Sequence, residues 1–481
     1  MMHMRIFFTI FSLFLASMLF GQSGYQIEFQ LKNYEGDTLF LAYYQGDKQF
    51  MADTALMIDG KFVFQGNEPL NPGMYIGVRS PERTFFQFLV DDSEMHFSAK
   101  ADEKDFVSSV QFTGSPQNKA FYEYLSFLNQ QRQITASLNE ERETASERRL
   151  KKIESELEEI SKQIQTKQTE IINNFDNGLV AAILKGNREP ELPEFEGSEE
   201  EVRRERFRYY KNHFFDNIDL SDERLFRSPV MFSKVNQYLE QLTSRHPDSI
   251  IVSLDYIIDQ MEESPLVFRF FLAHYLNQYA RSKIIGMDGV YVHLVDKYYR
   301  QGRAWWVAED QLKRILENAD NIRPTLIGEI APDITVQNKD GKRVRLHDLD
   351  YDFTVLYFWR PDCGHCRRYT PQIIDFMKEW GDKGVGVVTI CTKFTDEVES
   401  CWEYLDKTDE TDLLVNLVDP FHRSRFSVLY NVRTTPLIFL LDADKKILSK
   451  RLSALQLSEV MPMFMNNAEV PQGMEQAETG E

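Results

Sequence analysis

Cysteine is scarce in this chain: 481 residues hold four, all between Cys363 and Cys401. So few in so long a chain cannot staple a disulfide scaffold, and any sulfur chemistry is confined to the last third. Basic clusters are missing too. The net charge is −20, with lysine and arginine scattered along the chain, which argues against nucleic acid or an anionic membrane surface as partner. Beyond residue 22 no run is apolar enough to cross a bilayer. His213, His246, His274 and His293 each lack a second histidine or cysteine at i+3 or i+4, so they read as satisfied structural histidines rather than metal ligands.

The length suggests about three domains. Residues 1–22 combine Arg5, an apolar run from Ile6 to Phe20 and the small residues Gly21 and Ser23. That is the pattern of a secretory signal, and the run is shorter than the roughly 20 residues of a membrane span. A retained anchor is the alternative. The signal places the mature protein in the periplasm or cell envelope, and with no cysteine near the cleavage point a lipid anchor is not expected.

Residues 23–114 alternate with period two. Tyr25, Ile27, Phe29 and Leu31 form one such run, and Leu39, Leu41 and Tyr43 another. Turn signals at Glu35-Gly36-Asp37, Asp59-Gly60, Asn71-Pro72-Gly73 and Asp91-Asp92-Ser93 separate short strands. Seven or eight strands at this spacing predict an antiparallel β-sandwich. It carries no evident catalytic set and reads as a binding or spacing domain.

Residues 115–326 turn helical. Leu150, Ile153, Leu157, Ile160, Ile164 and Ile171 keep three–four spacing, with Lys167 interrupting the seam. About three heptads are near the minimum for a coiled coil, and the seam reads as a helix packed on its own domain rather than a dimer contact. Oligomeric state stays open. Gly186 to Glu200 reads as a loop, and helices are expected over Pro229–Thr243, Ile250–Glu262, Pro265–Ser282, Val290–Tyr299 and Glu309–Asn318.

The chemistry concentrates at Cys363-Gly364-His365-Cys366, between an apolar strand, Phe353–Trp359, and a helical segment, Arg367–Trp380. Two thiols three apart at a strand-to-helix turn read as a redox centre. A helix N-terminus stabilises the first thiolate. A thiolate attacks a disulfide, and a second cysteine one turn away resolves the mixed disulfide. Further strands are expected at Gly386–Cys391, Leu437–Asp442 and Ile447–Leu452, and the tail 468–481 as disordered.

Taken together, residues 327–467 resemble the thioredoxin superfamily, in particular the bacterial extracytoplasmic thiol–disulfide oxidoreductases. The likeness rests on Gly328, Ala331 and Pro332, on Asp340-Gly341-Lys342, on the run from Phe358 through Cys366, on Pro371, and on Thr435-Pro436 before an apolar strand. It implies a multidomain protein: an N-terminal antiparallel β-sandwich, an α-helical middle and a C-terminal α/β thioredoxin-like domain. It further implies Cys363 as exposed nucleophile and Cys366 as buried resolving thiol. Gly364 and His365 would tune the pair, His365 by stabilising the Cys363 thiolate. Pro436 would be a cis-proline that exposes Thr435 to an extended substrate, with Trp359 completing the substrate site from beneath.

Two positions depart from the family pattern. Tyr357 and Tyr369 stand where relatives carry carboxylates, and neither is a good base near neutral pH. Cys391 reads as an ordinary buried thiol, and a bridge to Cys401 is not readable from sequence. A zinc site lacks a second close cysteine pair, and a peroxidase of the peroxiredoxin type does not need Cys366. The expectation is an exported oxidoreductase of protein thiols and disulfides that requires no organic cofactor or metal. A redox partner, a membrane-embedded one among the candidates, would reset the pair. The rival is an envelope binding or assembly protein with a vestigial redox module.

Overall fold

The computed structural model describes residues 24–79 and 84–466. The expected signal and tail lie outside the described residues. Two compact units emerge, one running to Leu242 and including Asp259–Phe268, the other made of Thr243–Ile258 and the chain from Arg269 onward. The helical stretch expected at 115–326 is thus shared between them.

In the first unit the period-two runs become strands β1 (Tyr25–Lys32), β2 (Thr38–Gln45), β3 (Lys48–Leu56), β4 (Phe62–Gly66), β5 (Gly73–Arg79), β6 (Phe85–Val90), β7 (His96–Asp102) and β8 (Gln111–Thr113). They form two four-stranded sheets, β4-β1-β7-β8 and β3-β2-β5-β6. Every pair is antiparallel except β1–β7, which run parallel. The inward residues of β1 meet those of β6, with the Phe29 ring 5.0 Å from Phe86 and 5.1 Å from Phe88. That apolar layer is what joins the two sheets.

Helix α1 (Pro116–Arg142) docks on this sandwich through Asn118, which is fully buried. Its amide donates to Leu89 O and accepts from Leu89 N, both at 2.7 Å, extending the ladder at the β6 edge. Helix α2 (Glu147–Asn174) folds back on α1 as a hairpin, with Gln168 Nε2 2.7 Å from Tyr124 OH. Ile153 and Ile171 of the seam are buried within this unit, and Lys167 instead pairs with Glu170 at 3.0 Å.

The second unit is built on a seven-stranded sheet of order β10-β9-β13-β12-β11-β14-β15. Its strands are β9 (Thr335–Gln337), β10 (Arg343–Arg345), β11 (Phe353–Trp359), β12 (Val385–Cys391), β13 (Val415–Val418), β14 (Leu437–Leu441) and β15 (Ile447–Lys450). β11, β12 and β13 are parallel, whereas β14 runs antiparallel to β11. β12 is buried along its whole length, as a central strand covered on both faces must be. One face carries Val355, Tyr357 and Trp359 in a core with Ile373 and Phe376; the other carries Leu356 and Phe358 with Phe426 and Tyr430.

Helices that precede residue 327 complete this unit. They include α3 (Asp288–Leu294) and α4 (Glu309–Ile322). Ile285 lies in the first of those cores. Lys450, on β15, is buried; its ammonium sits 2.5 Å from Asp288 Oδ2 and donates to Thr325 O at 2.6 Å. Burial pulls the Lys450 pKa down, and Asp288 opposes that pull. This ion pair and the shared apolar core tie α3 to the sheet.

Candidate active site

β11 ends at Trp359, and the next helix, α5, runs Gly364–Trp380 with Cys363 as its N-cap. The helix begins three residues before the expected Arg367, because Cys363 takes the capping role that oxygen side chains usually fill. Its Sγ accepts the main-chain N–H of Cys366 at 3.3 Å and donates to Thr435 O at 3.3 Å.

The expectation of an exposed nucleophile needs correcting. Cys363 is 5% exposed and Cys366 fully buried, because the Thr435 carbonyl lies directly on the first sulfur. Burial pushes the Cys363 pKa up, but hydrogen bonds from the Cys366 thiol and main chain, from the Thr435 side chain and from the His365 N–H outweigh it. The net direction is below an ordinary thiol. Cys366 is pushed up to about 12, chiefly by burial and then by its hydrogen bond to Cys363. Two thiols one helical turn apart are therefore biased in opposite directions.

His365 acts on Cys363 through its main-chain N–H. Its imidazole Nδ1 is buried with no hydrogen-bond partner. At Gly364 an added Cβ would meet nothing within 4 Å, so no steric demand fixes glycine there. The Thr435-Pro436 bond is cis. The Tyr357 hydroxyl donates to Cys366 O at 3.3 Å, which commits it to the main chain, and burial holds its pKa well above the usual phenol range.

Trp359, expected to complete the substrate site from beneath, is buried below the dithiol. It is 2% exposed and packs against Tyr404 with ring centres 5.3 Å apart. Its place in the register, beside Cys391, makes it part of the floor under the dithiol.

Cys391 is not a free thiol. It forms a disulfide with Cys401 on helix α6 (Glu399–Asp406), with Cα atoms 6.4 Å apart. Both residues share a core with Cys363 and Cys366. Nothing in a spacing of ten residues announces this pair.

A cleft of about 240 Å³ opens beside Thr435. Arg360, Phe394, His422, Arg433 and Thr434 line it as well. Neither arginine was expected at the site, although Arg360 stands three residues before Cys363 and Arg433 two before Thr435.

The AhpC/TSA family model matches residues 327–450. Two domains of unknown function match upstream, DUF5106 over 143–325 and DUF4369 over 25–121. A thioredoxin-like protein of Haemophilus influenzae is 33% identical over 127 residues, which is 26% of this chain and 71% of that protein. The thiol-disulfide oxidoreductase ResA of Bacillus cereus is 25% identical over 134 residues, 26% of this chain and 68% of that one. A crystal structure of a thioredoxin-like protein from Bacteroides caccae aligns with a TM-score of 0.44 at 18% identity, covering 57% of this chain and 98% of that chain. Through the domain that holds the Cys363–Cys366 pair, the chain belongs to the thioredoxin-like AhpC/TSA family.

Proposed function

We propose that the protein is a thiol–disulfide oxidoreductase of exported proteins, working through Cys363 and Cys366. The observation that carries this reading is the geometry of the pair: Cys363 caps α5 with its Sγ accepting the Cys366 N–H, and Cys366 lies fully buried one turn behind it. In the reducing direction the Cys363 thiolate attacks one sulfur of a substrate disulfide. That S–S bond breaks, a mixed disulfide forms, and the departing substrate thiolate takes a proton. Cys366 then loses its proton and its thiolate attacks Cys363 Sγ. The second substrate sulfur leaves as a thiolate and takes up a proton; the two electrons gained by the substrate have come from the Cys363–Cys366 dithiol, which is now a disulfide. Run backwards, the same steps oxidise a substrate dithiol.

Thr435 and Pro436 border the reacting sulfur and are the proposed substrate contacts. The reaction needs no organic cofactor, but turnover needs a redox partner to reset the pair. Export is supported by the signal-like segment ending near residue 22 and by the Cys391–Cys401 bridge, since disulfides persist in oxidising compartments. Among the described residues no helix is long and apolar enough to cross a membrane.

The test is a pair of serine variants assayed on a peptide disulfide. Cys363→Ser is expected to abolish exchange, and Cys366→Ser to accumulate mixed disulfides. Wild-type exchange in Cys363→Ser would sink the reading. Failure of the native pair to form a reversible disulfide would favour a binding protein instead.

A further inference from the structure

The cleft beside Thr435 has a charge opposite to that of the chain around it. Among its lining residues are Arg360 and Arg433 and no carboxylate, in a protein of net charge −20. The two arginines differ. Arg360 lies 3.4 Å from Asp362, which also pairs with Lys393 at 3.1 Å, so its charge is offset locally. Arg433 is held by neutral groups: Nε donates to Asn431 Oδ1 at 2.9 Å and Nη2 to Asn318 Oδ1 at 3.1 Å. Two amide oxygens orient the guanidinium without cancelling its charge, and among the described residues it makes no ion pair.

Asn318 belongs to α4, 115 residues before Arg433 in sequence. A helix outside the region matched by the family model thus steers a cation at the mouth of the site. The lining is aromatic as well. Phe394 is 44% exposed, and its ring centre is 4.4 Å from that of His422. The cleft reaches Thr435, whose carbonyl touches Cys363, so whatever fills it lies alongside the reacting sulfur.

We infer that this cleft selects its substrate by charge: it takes an acidic segment with an apolar side chain, flanking the cysteine of a partner protein. Arg433 is the charge-reading residue, α4 positions it through Asn318, and Phe394 accepts the apolar side chain. The inference rests on the oxidoreductase reading for its meaning but not for its test. An acidic chain repels acidic partners at long range, so a single uncompensated cation at the site confers orientation as well as attraction.

The experiment is fluorescence anisotropy of the full chain with two labelled, cysteine-free peptides that share a central serine and a phenylalanine. One carries glutamates on both flanks, the other lysines. The acidic peptide is expected to bind roughly fivefold to tenfold tighter, the size of one partly solvated charge-assisted contact. Arg433→Ala should erase the preference, Arg433→Glu should reverse it, and Asn318→Ala should weaken it while Arg433→Lys restores part of it. Reading the ratio of two peptides within one variant cancels any loss of folded protein. Equal affinities in the wild type, or a preference that survives Arg433→Glu, overturns the inference. A protein that binds with this preference yet exchanges no disulfide would instead refute the oxidoreductase reading.

Discussion

Opening the Cys391–Cys401 bridge with the redox pair removed isolates what that bridge contributes to the fold. In a Cys363→Ser/Cys366→Ser background the bridged residues are the last cysteines in the chain. Both bridged residues are buried, at 1% and 0% exposure, so reduction leaves two small apolar thiols there rather than a cavity. The cost then comes mainly from the unfolded chain, which regains the freedom of a loop with a sequence separation of 10. Loop-closure entropy for that length is about 9 cal/mol/K, or about 2.7 kcal/mol at 25 °C. That corresponds to about a hundredfold change in the folded-to-unfolded ratio. The assay is denaturant unfolding followed by tryptophan fluorescence, with and without a phosphine reductant. All five tryptophans lie in the second unit, so the signal reports the unit that holds the bridge. The same background with Cys391→Ala and Cys401→Ala should not respond to reductant. A loss on reduction below about 1 kcal/mol would refute the loop-entropy reasoning.

Three other outcomes are expected. His365→Pro removes the main-chain N–H that favours the Cys363 thiolate, so the pair should become more reducing, whereas His365→Ala keeps that N–H and should change little. Equilibration against glutathione buffers checks this, and an unchanged or raised potential for the proline variant counts against it. Cys363 should alkylate as a thiolate at a pH below the ordinary thiol value and lose reactivity as pH falls through its lowered pKa, while Cys366 stays protonated until pH approaches about 12. In the reduced protein, the raised Cys366 value means stability that is full below the ordinary thiol pKa and drains away as pH rises toward about 12. Indistinguishable titrations for the two thiols, followed by ultraviolet absorbance of the thiolate, would contradict that bias. Asp288→Ala strands the buried Lys450 ammonium and should cost about 3–5 kcal/mol, read by the same fluorescence; Lys450→Met in that background should recover much of the loss.

Several features were legible because a single local signal decides them. β11 has its expected bounds, since an unbroken apolar run before a turn leaves a buried strand no other register. The cysteine spacing likewise specified a dithiol at a helix start, although the helix begins at Gly364 because Cys363 itself is the cap. β13 escaped notice because Asn416 interrupts its apolar pattern; the structure spends that amide on Thr389 and Thr411. The Cys391–Cys401 bridge and the pairing of Asn318 with Arg433 depend on segments meeting in space, and no local pattern encodes them. The alternation of β1 implied a sandwich but not its one parallel pair, because period two is the same for both strand directions.

A module that moves between proteins by recombination must carry its own counter-charges. The stretch beginning at Ile327 does not, for the ammonium of Lys450 is matched by Asp288 and by the carbonyl of Thr325, both upstream. Transplanted alone, that stretch would leave the Lys450 ammonium without the carboxylate and the carbonyl that it meets here. The smallest piece of this chain that keeps both partners of Lys450 therefore starts before Asp288, ahead of residue 327, where the AhpC/TSA match begins. A lineage that shed the upstream helices would lose both partners of Lys450, and nothing in these contacts would then favour lysine at that position. The identity of position 450 in related chains is thus a marker of whether those helices and the redox domain have travelled together.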